Sequence, residues 1–572
     1  MSTNFYSDNR DLQFHLGRVD LAEAVRLRER DFAENREFPE APGSYEEALQ
    51  VYEMVLGMVG ELCARRIAPR ARDVDACGAS FRDGRVEYAP GTKESLEDLK
   101  SAQLMGVTLP RRYGGLNMPS TVYNMMMEMV SRADASLHNL VGLQAIGETI
   151  YRFGSEEQRQ RYLPRLASGE ADGAMALTEP EAGSDLQAVQ MRAWQDDGGQ
   201  WRLRGVKQFI TNGCAQILLV LARSEEGSTD GRGLSLFVCE KGPGLTVRRI
   251  EEKLGIHGSP TCELQFDDVP AELVGARRRG LTRYVMSLLN GARVAVAAQA
   301  VGIAEAAWRG AAEYAANRRQ FGRSVDRFPA VYEMLARTKT LTVAARTLLY
   351  ETTRWVDLKY GYEEVEAREG RLPPNLRGEA KRAGRVAGVL TPLVKAFATE
   401  AANRVVYDAL QIHGGAGYMK DYDVERLYRD VRVTNIYEGT TQLQYVAAMG
   451  GVVQRVLEPL MEDLAALPYT GPLKDLRESV ERVRQGVNEA VRFVVEQRDP
   501  EFQDLCARRL CEAETAVFTS YLLLRDALAD PARAALAEHF VSEMLAPALG
   551  ACRDVLGGSR LLIERRGEIL GL

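Results

Sequence analysis

The period of the apolar positions changes three times along the chain. Residues 1–45 are polar, end in Pro39, Pro42 and Gly43, and read as an extension that packs on the body. From Tyr45 to about Gly169 apolar residues recur every three or four positions, as in EEALQVYEMVLGMVGELCARRIAPRA. That is the repeat of an amphipathic helix, and Pro69 is expected to close this first run. A Met- and Leu-rich helix pair follows over Met118–Ile150, its methionine stripe read as core. Over residues 174–275 the pattern becomes short alternating runs, among them VQMRAW, QWRLRGVKQFITNG, AQILLVLA, GLSLFVCE and CELQFDDV, which predict strands. Asp196-Asp197-Gly198-Gly199 predicts a hairpin turn between two of them. Helical spacing returns from Leu281 to about Val452, broken by a loop at 372–380. A last helical block, 453–572, is entered through Leu467–Pro472. The expected divisions are an extension (1–45), a helical domain (46–173), a β domain (174–280), a second helical domain (281–452) and an additional helical domain (453–572).

Bulk properties narrow the picture. At 572 residues the chain exceeds one hydrophobic core. Its net charge of −7 weighs against a dedicated nucleic-acid binder. The last block is itself acidic, with 15 Lys and Arg against 20 Asp and Glu over 451–572, a poor partner for phosphate backbones. The N-terminus has neither a basic region nor an apolar core of a secretory signal, and no apolar run approaches 18 residues. A cytoplasmic protein without a transmembrane segment is the expectation, with peripheral membrane contact disfavoured because no basic amphipathic helix stands out. The eight cysteines contain no CxxC and the five histidines no HxH or HExxH, so buried reduced thiols and no metal site are expected.

Four stretches carry candidate chemistry. Ala176–Ala188, ALTEPEAGSDLQA, ends a strand in a turn with a glycine, a hydroxyl and a carboxylate, where freed amides can meet an anion or a heterocycle edge. Lys207–Gly213, KQFITNG, is a strand bearing an aromatic and a hydroxyl, and its Asn-Gly step reads as a hairpin. Arg318–Arg323, RRQFGR, sets basic residues on a helix end. The fourth stretch runs from Gln411-Ile412-His413-Gly414-Gly415-Ala416-Gly417-Tyr418 through Arg429-Asp430 to Ile436-Tyr437-Glu438-Gly439-Thr440-Thr441-Gln442. A glycine cluster shortly before one carboxylate on an irregular turn suits an enzyme that holds a phosphate-bearing cofactor and takes a proton from carbon. Thr441–Gln444 reads as a capping box, which puts Glu438 just before a helix.

In this order and spacing, over roughly residues 46–450, the four stretches closely resemble the acyl-CoA dehydrogenase family. The resemblance implies an α+β acyl-CoA dehydrogenase fold: an N-terminal helical domain, a central β-barrel-like domain and a C-terminal four-helix bundle, here with an extra C-terminal helical domain. It implies FAD as cofactor and an acyl-CoA thioester as substrate. The α-proton would go to the base and the β-hydride to the flavin, with an electron-transferring flavoprotein as electron acceptor. By position, Glu438 matches the catalytic base. Met175, Leu177, Thr178, Gly183, Ser184, Phe209, Thr211, Arg318, Phe321, Gln411, Gly414, Gly415, Thr440 and Gln442 match cofactor positions. Ser184, Asn290, Arg293, Tyr437 and Gly439 match substrate positions. Arg318 and Phe321 match residues that clasp the FAD of a neighbouring subunit, which implies an oligomer, a homodimer or a tetramer.

The departures are specific. Phe209 stands where tryptophan is commoner, Pro329 where a glutamine contacts FAD, and Asn290 where an aspartate is common. One family branch carries its base directly before an arginine on the first helix of the C-terminal half. Here that position is Ala292, before Arg293, so the alternative base is absent. The loop around 356–380 reads as longer than in compact members. The C-terminal block is similar to the longer subfamily that includes 3-methylmercaptopropionyl-CoA dehydrogenases. Two rival readings are an acyl-CoA oxidase and a non-catalytic flavoprotein partner.

Overall fold

The polar N-terminal extension folds into two helices, α1 (Arg10–Arg18) and α2 (Ala22–Arg28). The Asn9 side chain caps α1 by accepting from the Asp11 and Leu12 amides, and Leu12, Leu21 and Val25 are fully buried. Two ion pairs tie the extension down: Asp8 to Arg132, bidentate at 2.7 Å, and Glu29 to Arg111 at 2.7 Å. The computed structural model describes residues 3–572. They form two units. The first runs to Ala306 and includes Arg426–Val433; the second holds the remainder.

The rest of the first unit's helices are α3 (Tyr45–Leu62), α4 (Ala68–Cys77), α5 (Pro90–Ser101), α6 (Ser120–Ala133), α7 (Ala135–Gly142), α8 (Ile146–Phe153) and α9 (Glu156–Ser168). Pro69 does not close the first run. A single π-helical turn, Cys63–Ile67, leads into α4, where Pro69 falls in the first turn and its missing N–H costs no intrahelical bond. A small hairpin, β1 (Ser80–Arg82) with β2 (Arg85–Glu87), interrupts a stretch read as helical throughout. The methionine stripe is core: Met125, Met126, Met127 and Met129 are at most 1% exposed.

The β domain comprises β3 (Gly173–Ala176), β4 (Arg192–Gln195), β5 (Trp201–Thr211), β6 (Ile217–Arg223), β7 (Leu234–Glu240), β8 (Leu245–Ile250) and β9 (Thr261–Leu273). β6 pairs with β4, β4 with β5, β5 with β9, β9 with β7, and β7 with β6 again, so the path closes into a barrel-like ring. β3 joins β6 in parallel, and β8 lies along β9. Leu218–Ala222 of β6 are fully buried, as a continuous apolar run in a central strand should be. The Asp196 turn forms as expected, its carboxylate accepting from the Gly198 and Gln200 amides. The Asn212-Gly213 step is not a hairpin. β5 and β6 are not partners; the Asn212 amide instead donates to the Pro260 carbonyl across to β9's approach.

The division between the units falls inside α10 (Met286–Asn317). Polar residues interrupt the helical stretch Gly280–Asn317, so no uninterrupted apolar run reaches 18 residues there; its most apolar 18-residue window has a mean hydropathy of 1.2 and is 56% buried inside the protein. The arginine-rich segment after it is not on the helix end but forms its own hairpin, β10 (Arg319–Gln320) with β11 (Arg323–Ser324). The second unit continues with α11 (Pro329–Glu369), α12 (Arg377–His413), α13 (Val424–Val431, whose latter part belongs to the first unit) and α14 (Thr441–Val453). The expected long loop at 356–380 shrinks to Gly370–Leu376, because α11 runs on to Glu369. The last block is α15 (Glu458–Ala465), α16 (Pro472–Gln497), α17 (Pro500–Ala529), α18 (Ala534–Leu556) and α19 (Leu561–Leu570). It is joined to α11 by a polar network. Arg525 donates to Glu351 at 2.7 Å and to Asp526 at 3.0 Å, and the Thr347 hydroxyl donates to Asp526 at 3.3 Å.

Of the eight cysteines, none forms a disulfide. Six are buried, Cys214 is half-buried, and Cys77 is exposed, against the expectation of buried thiols throughout.

Glu514 of α17 is 2% exposed, and its Oε1 has no hydrogen-bond partner among the described residues. Burial pushes its carboxyl up to about 7, against the pull of Arg455. A carboxyl whose folded value exceeds its unfolded one stabilises the fold at low pH, and that contribution is lost as pH rises from about 4.5 through 7. The shift corresponds to at most ~3 kcal/mol. Glu514→Gln is therefore expected to raise the thermal midpoint at pH 8 and to leave it nearly unchanged at pH 5. An equal effect at both pH values would rule the account out.

Candidate functional site

The strand-to-turn segment after β3 is held by a buried ion pair that sequence reasoning missed. Lys207 of β5 is fully buried. Its ammonium donates to the Leu177 carbonyl and to Glu179 Oε1, both at 2.8 Å. The Glu179 carboxylate also accepts from the Gln190 amide at 2.7 Å and the Met191 amide at 3.0 Å. Burial pulls the Lys207 ammonium down to about 8, and Glu179 works in the opposite direction. Both partners stand in the quoted motifs, but nothing in their spacing announces that they meet.

This pair sets a corner of the first unit. The Gln208 amide donates to the Thr178 carbonyl at 3.0 Å, so the turn and β5 run together. Phe209 follows in a left-handed conformation (φ 60°), at a break in the β5–β9 register between Lys207 and Ile210. That kink leaves its ring 57% exposed, in a strand whose neighbours Lys207 and Ile210 are buried. The Asn212 amide group reaches back to the Gly173 carbonyl at 3.2 Å, which ties the Thr211 end of β5 to the start of β3. Met175, Thr178 and Thr211 are half-buried, Leu177 is buried, and Gly183 and Ser184 are exposed. A side chain at Gly183 would lie 3.9 Å from the Thr178 methyl, so those two positions are neighbours. Asp185 caps the turn by accepting from the Gln187 amide. Asn290 and Arg293, both half-buried on α10, hydrogen-bond at 3.0 Å.

The return segment of the first unit leads towards Glu438. Arg429 pairs with Asp75, its Nη1 2.9 Å from Oδ1, and His257 Nδ1 lies 2.9 Å from the same carboxylate. Asp430, fully enclosed, accepts from the Ile256 amide at 2.6 Å, and burial raises its carboxyl to about 6. Glu438 lies eight residues on.

In the second unit, Glu438 and Gly439 are both left-handed, at φ 55° and 89°. Their carbonyls are held from two helices. The fully buried Lys395 of α12 donates to the Gly439 carbonyl at 2.8 Å. The fully buried Gln444 of α14 donates to the carbonyls of Glu438 at 3.1 Å and Gly439 at 2.9 Å. Glu400 accepts from Asn435 at 3.1 Å and from the Thr441 hydroxyl at 2.7 Å, joining the two ends of the turn. The helix cap sits one residue earlier than expected. Thr440, whose backbone is non-helical, accepts from the Leu443 amide, while Thr441 is already the first residue of the helix and donates its hydroxyl to Glu400. Tyr437, Glu438 and Thr440 are half-buried and Gln442 is exposed.

A second group gathers at the far ends of α10 and α12. His413 stacks on Tyr314 with ring centroids 4.4 Å apart, and the Arg318 amide donates to the Tyr314 carbonyl. This brings the Gln411–Gly415 turn towards the hairpin whose tip holds Phe321, 94% exposed. Gly414 is left-handed at φ 59°, and an added Cβ at Gly414 or Gly415 would meet nothing within 4 Å. This group and the Glu438 turn are not brought together. Gln411 and Lys395 are sixteen residues apart on one helix, about 24 Å along its axis.

Comparison with known proteins follows the same order of segments. Family models match as acyl-CoA dehydrogenase N-terminal domain (residues 50–170), middle domain (174–269) and C-terminal domain (279–448), and as acyl-CoA dehydrogenase C terminal (457–541). The chain is 36% identical over 446 residues to 3-methylmercaptopropionyl-CoA dehydrogenase of Ruegeria pomeroyi, covering 72% of this chain and 73% of that protein. A chain in the solved structure of the electron transferring flavoprotein of Acidaminococcus fermentans is 33% identical, with a TM-score of 0.59 over 69% of this chain and 96% of that one. The acyl-CoA dehydrogenase of Bacillus anthracis complexed with FAD, 24% identical, shares the fold over 89% of this chain and 88% of its own, with a TM-score of 0.74.

Lys207→Met is expected to destabilise the protein by about 3 kcal/mol, since it leaves the Glu179 charge buried without its cation. Lys207→Met with Glu179→Gln should recover part of that loss. Thermal unfolding of the single and double variants measures it, and strict additivity would show that the pair does not act as one.

Proposed function

We propose that this chain, which belongs to the acyl-CoA dehydrogenase family, uses Glu438 to take the α-proton of an acyl-CoA thioester as the β-hydride leaves to FAD. The observation that carries the reading is the Glu438 turn. A carboxylate on a left-handed residue, with its carbonyl and the next one fixed by buried donors, is held in one backbone geometry. A base aimed at carbon needs that fixity, because a weak carbon acid reacts only when proton and base are aligned.

FAD is the family's cofactor, and the residues fit it. The exposed Phe209 ring offers a flat face on the strand that runs beside the Thr178 turn. The bare backbone at Gly414 and Gly415 leaves room for a large ligand to approach closely. Met175, Leu177, Thr178, Gly183, Ser184, Phe209 and Thr211 would hold the ring system. Arg318, Phe321, Gln411, Gly414, Gly415, Thr440 and Gln442 would hold the remainder. When bound, FAD supplies the acceptor for the β-hydride. Ser184, Asn290, Arg293, Tyr437 and Gly439 would orient the thioester. The Glu438 carboxylate would carry the α-proton away, and Ala292 offers no competing base.

The 24 Å separation along α12 favours a second copy of the chain. The Arg318–Phe321 hairpin and the Gln411–Gly415 turn are far from Glu438 within one subunit, so they would serve the cofactor of a neighbour, in a homodimer or larger assembly. An electron-transferring flavoprotein as acceptor is supported by the relative found in the structure of such a protein.

Glu438→Gln is expected to retain FAD and bind acyl-CoA but to lose anaerobic bleaching of the flavin by at least ~100-fold, the least that a general base contributes. Stopped-flow absorbance across a panel of short, long, branched and aromatic acyl-CoAs makes the measurement and identifies the preferred acyl group. Bleaching at the wild-type rate would remove Glu438 from the role.

A further inference from the structure

The turn that carries Glu438 holds two consecutive left-handed residues, one of them not glycine. For a non-glycine residue this conformation costs about 1 kcal/mol or more and persists only where the surroundings over-determine it. The surroundings here are Lys395 and Gln444. They are fully buried, they come from different helices, and together they place three hydrogen bonds on two successive carbonyls. The bond from Lys395 is charge-assisted and so the stronger kind. An aliphatic residue in its place on α12, between the buried Val394 and Ala396, would fill the position without burying an ammonium. A lysine is therefore a costly choice for packing alone, and its ammonium donates to the turn.

We propose that Lys395, assisted by Gln444, is a positioning residue that locks Glu438 in the left-handed conformation from which it takes the α-proton. This rests on the reading of Glu438 as the base. Removing the ammonium frees the 439–440 peptide, whose carbonyl it holds, and with it the adjoining Glu438 backbone, so the carboxylate loses its alignment while the cofactor and thioester contacts made outside the turn persist. The loss falls chiefly on the proton-transfer step.

The test uses the full-length FAD-loaded protein with Lys395→Met, Gln444→Leu and Glu438→Gln side by side. Each is measured for acyl-CoA dissociation constant, FAD content and limiting rate of anaerobic flavin bleaching. Each is also assayed for exchange of the α-proton in D2O with a 3-thia acyl-CoA, whose sulfur in place of the β-carbon allows proton loss but no hydride loss. Lys395→Met should slow both bleaching and exchange by roughly 10- to 100-fold, the range of a small misplacement of a reacting group. Dissociation constant and FAD content should stay within about twofold of wild type, a tolerance well under 1 kcal/mol. Gln444→Leu should move the same two rates in the same direction, and it decides the matter if Lys395→Met does not accumulate as a folded flavoprotein. Wild-type exchange and bleaching rates in folded Lys395→Met or Gln444→Leu, or a loss confined to the dissociation constant, would overturn the proposal. If Glu438→Gln itself bleaches and exchanges normally, the assignment of the base fails. If Glu438→Gln is dead and the other two are normal, only the positioning role fails.

Discussion

Two consecutive carbonyls, those of Glu438 and Gly439, must point at buried donors for the rest of the second unit to make chemical sense. Left-handed backbone at Glu438 has no local support: its side chain is neither short nor able to fold onto its own amides as an asparagine can. The support comes from tertiary structure, through Lys395 on α12 and Gln444 on α14. The packing of α12 against α14 is thus coupled to the conformation of one residue. Glu400 completes the frame by joining Asn435 before the turn to Thr441 after it.

The first unit solves a similar problem with the same chemistry. Its turn after β3 also exposes backbone where a ligand could be met, and again a fully buried lysine donates to a carbonyl of the turn, that of Leu177. Lys207 is answered directly by Glu179, whose second oxygen accepts a backbone amide, so the pair holds together as a neutral unit. Burying a pair in this way adds little stability compared with apolar packing. Its worth lies in fixing which of several turn geometries is adopted, a use of buried charge that is a matter of specificity more than of net energy.

Much of this was legible in the sequence, and what was not has common causes. The helical and strand periods located the helical domains and the β domain, and the glycine and carboxylate motifs led to the stretches around Phe209, Gly414 and Glu438. Errors arose where a local rule met a tertiary override. Pro69 reads as a stop, yet a π-helical turn before it carries the helix on. Asn212-Gly213 reads as a hairpin, yet β5 and β6 take other partners in a ring that closes through β6 and β7. Thr441 reads as the cap, yet it is already the first residue of the helix, its hydroxyl on Glu400, and Thr440 caps instead. The supporting residues, Lys395, Gln444, Lys207 and Glu179, carry no local signal beyond being polar in apolar surroundings. A lysine within TPLVKAFATE is conspicuous on that ground alone, since its neighbours fit a buried helix and it does not.

The same logic bears on the C-terminal block. α17 reaches α14, the helix that begins at the Glu438 turn: the Tyr445 hydroxyl donates to Glu512 at 3.0 Å, and the Cys511 thiol lies 3.5 Å from the Tyr445 carbonyl. It also reaches α11 through Arg525, Glu351 and Asp526. Tyr445 follows Gln444 directly. A helix whose first turn must present Gln444 to two carbonyls cannot be free to rotate, and α17 grips it one residue further on. The block is therefore packed against the helix that follows the Glu438 turn and is more than an appendage joined by its linker. Its amphipathic helices follow from that packing, one face spent on α11 and α14 and the other left to water.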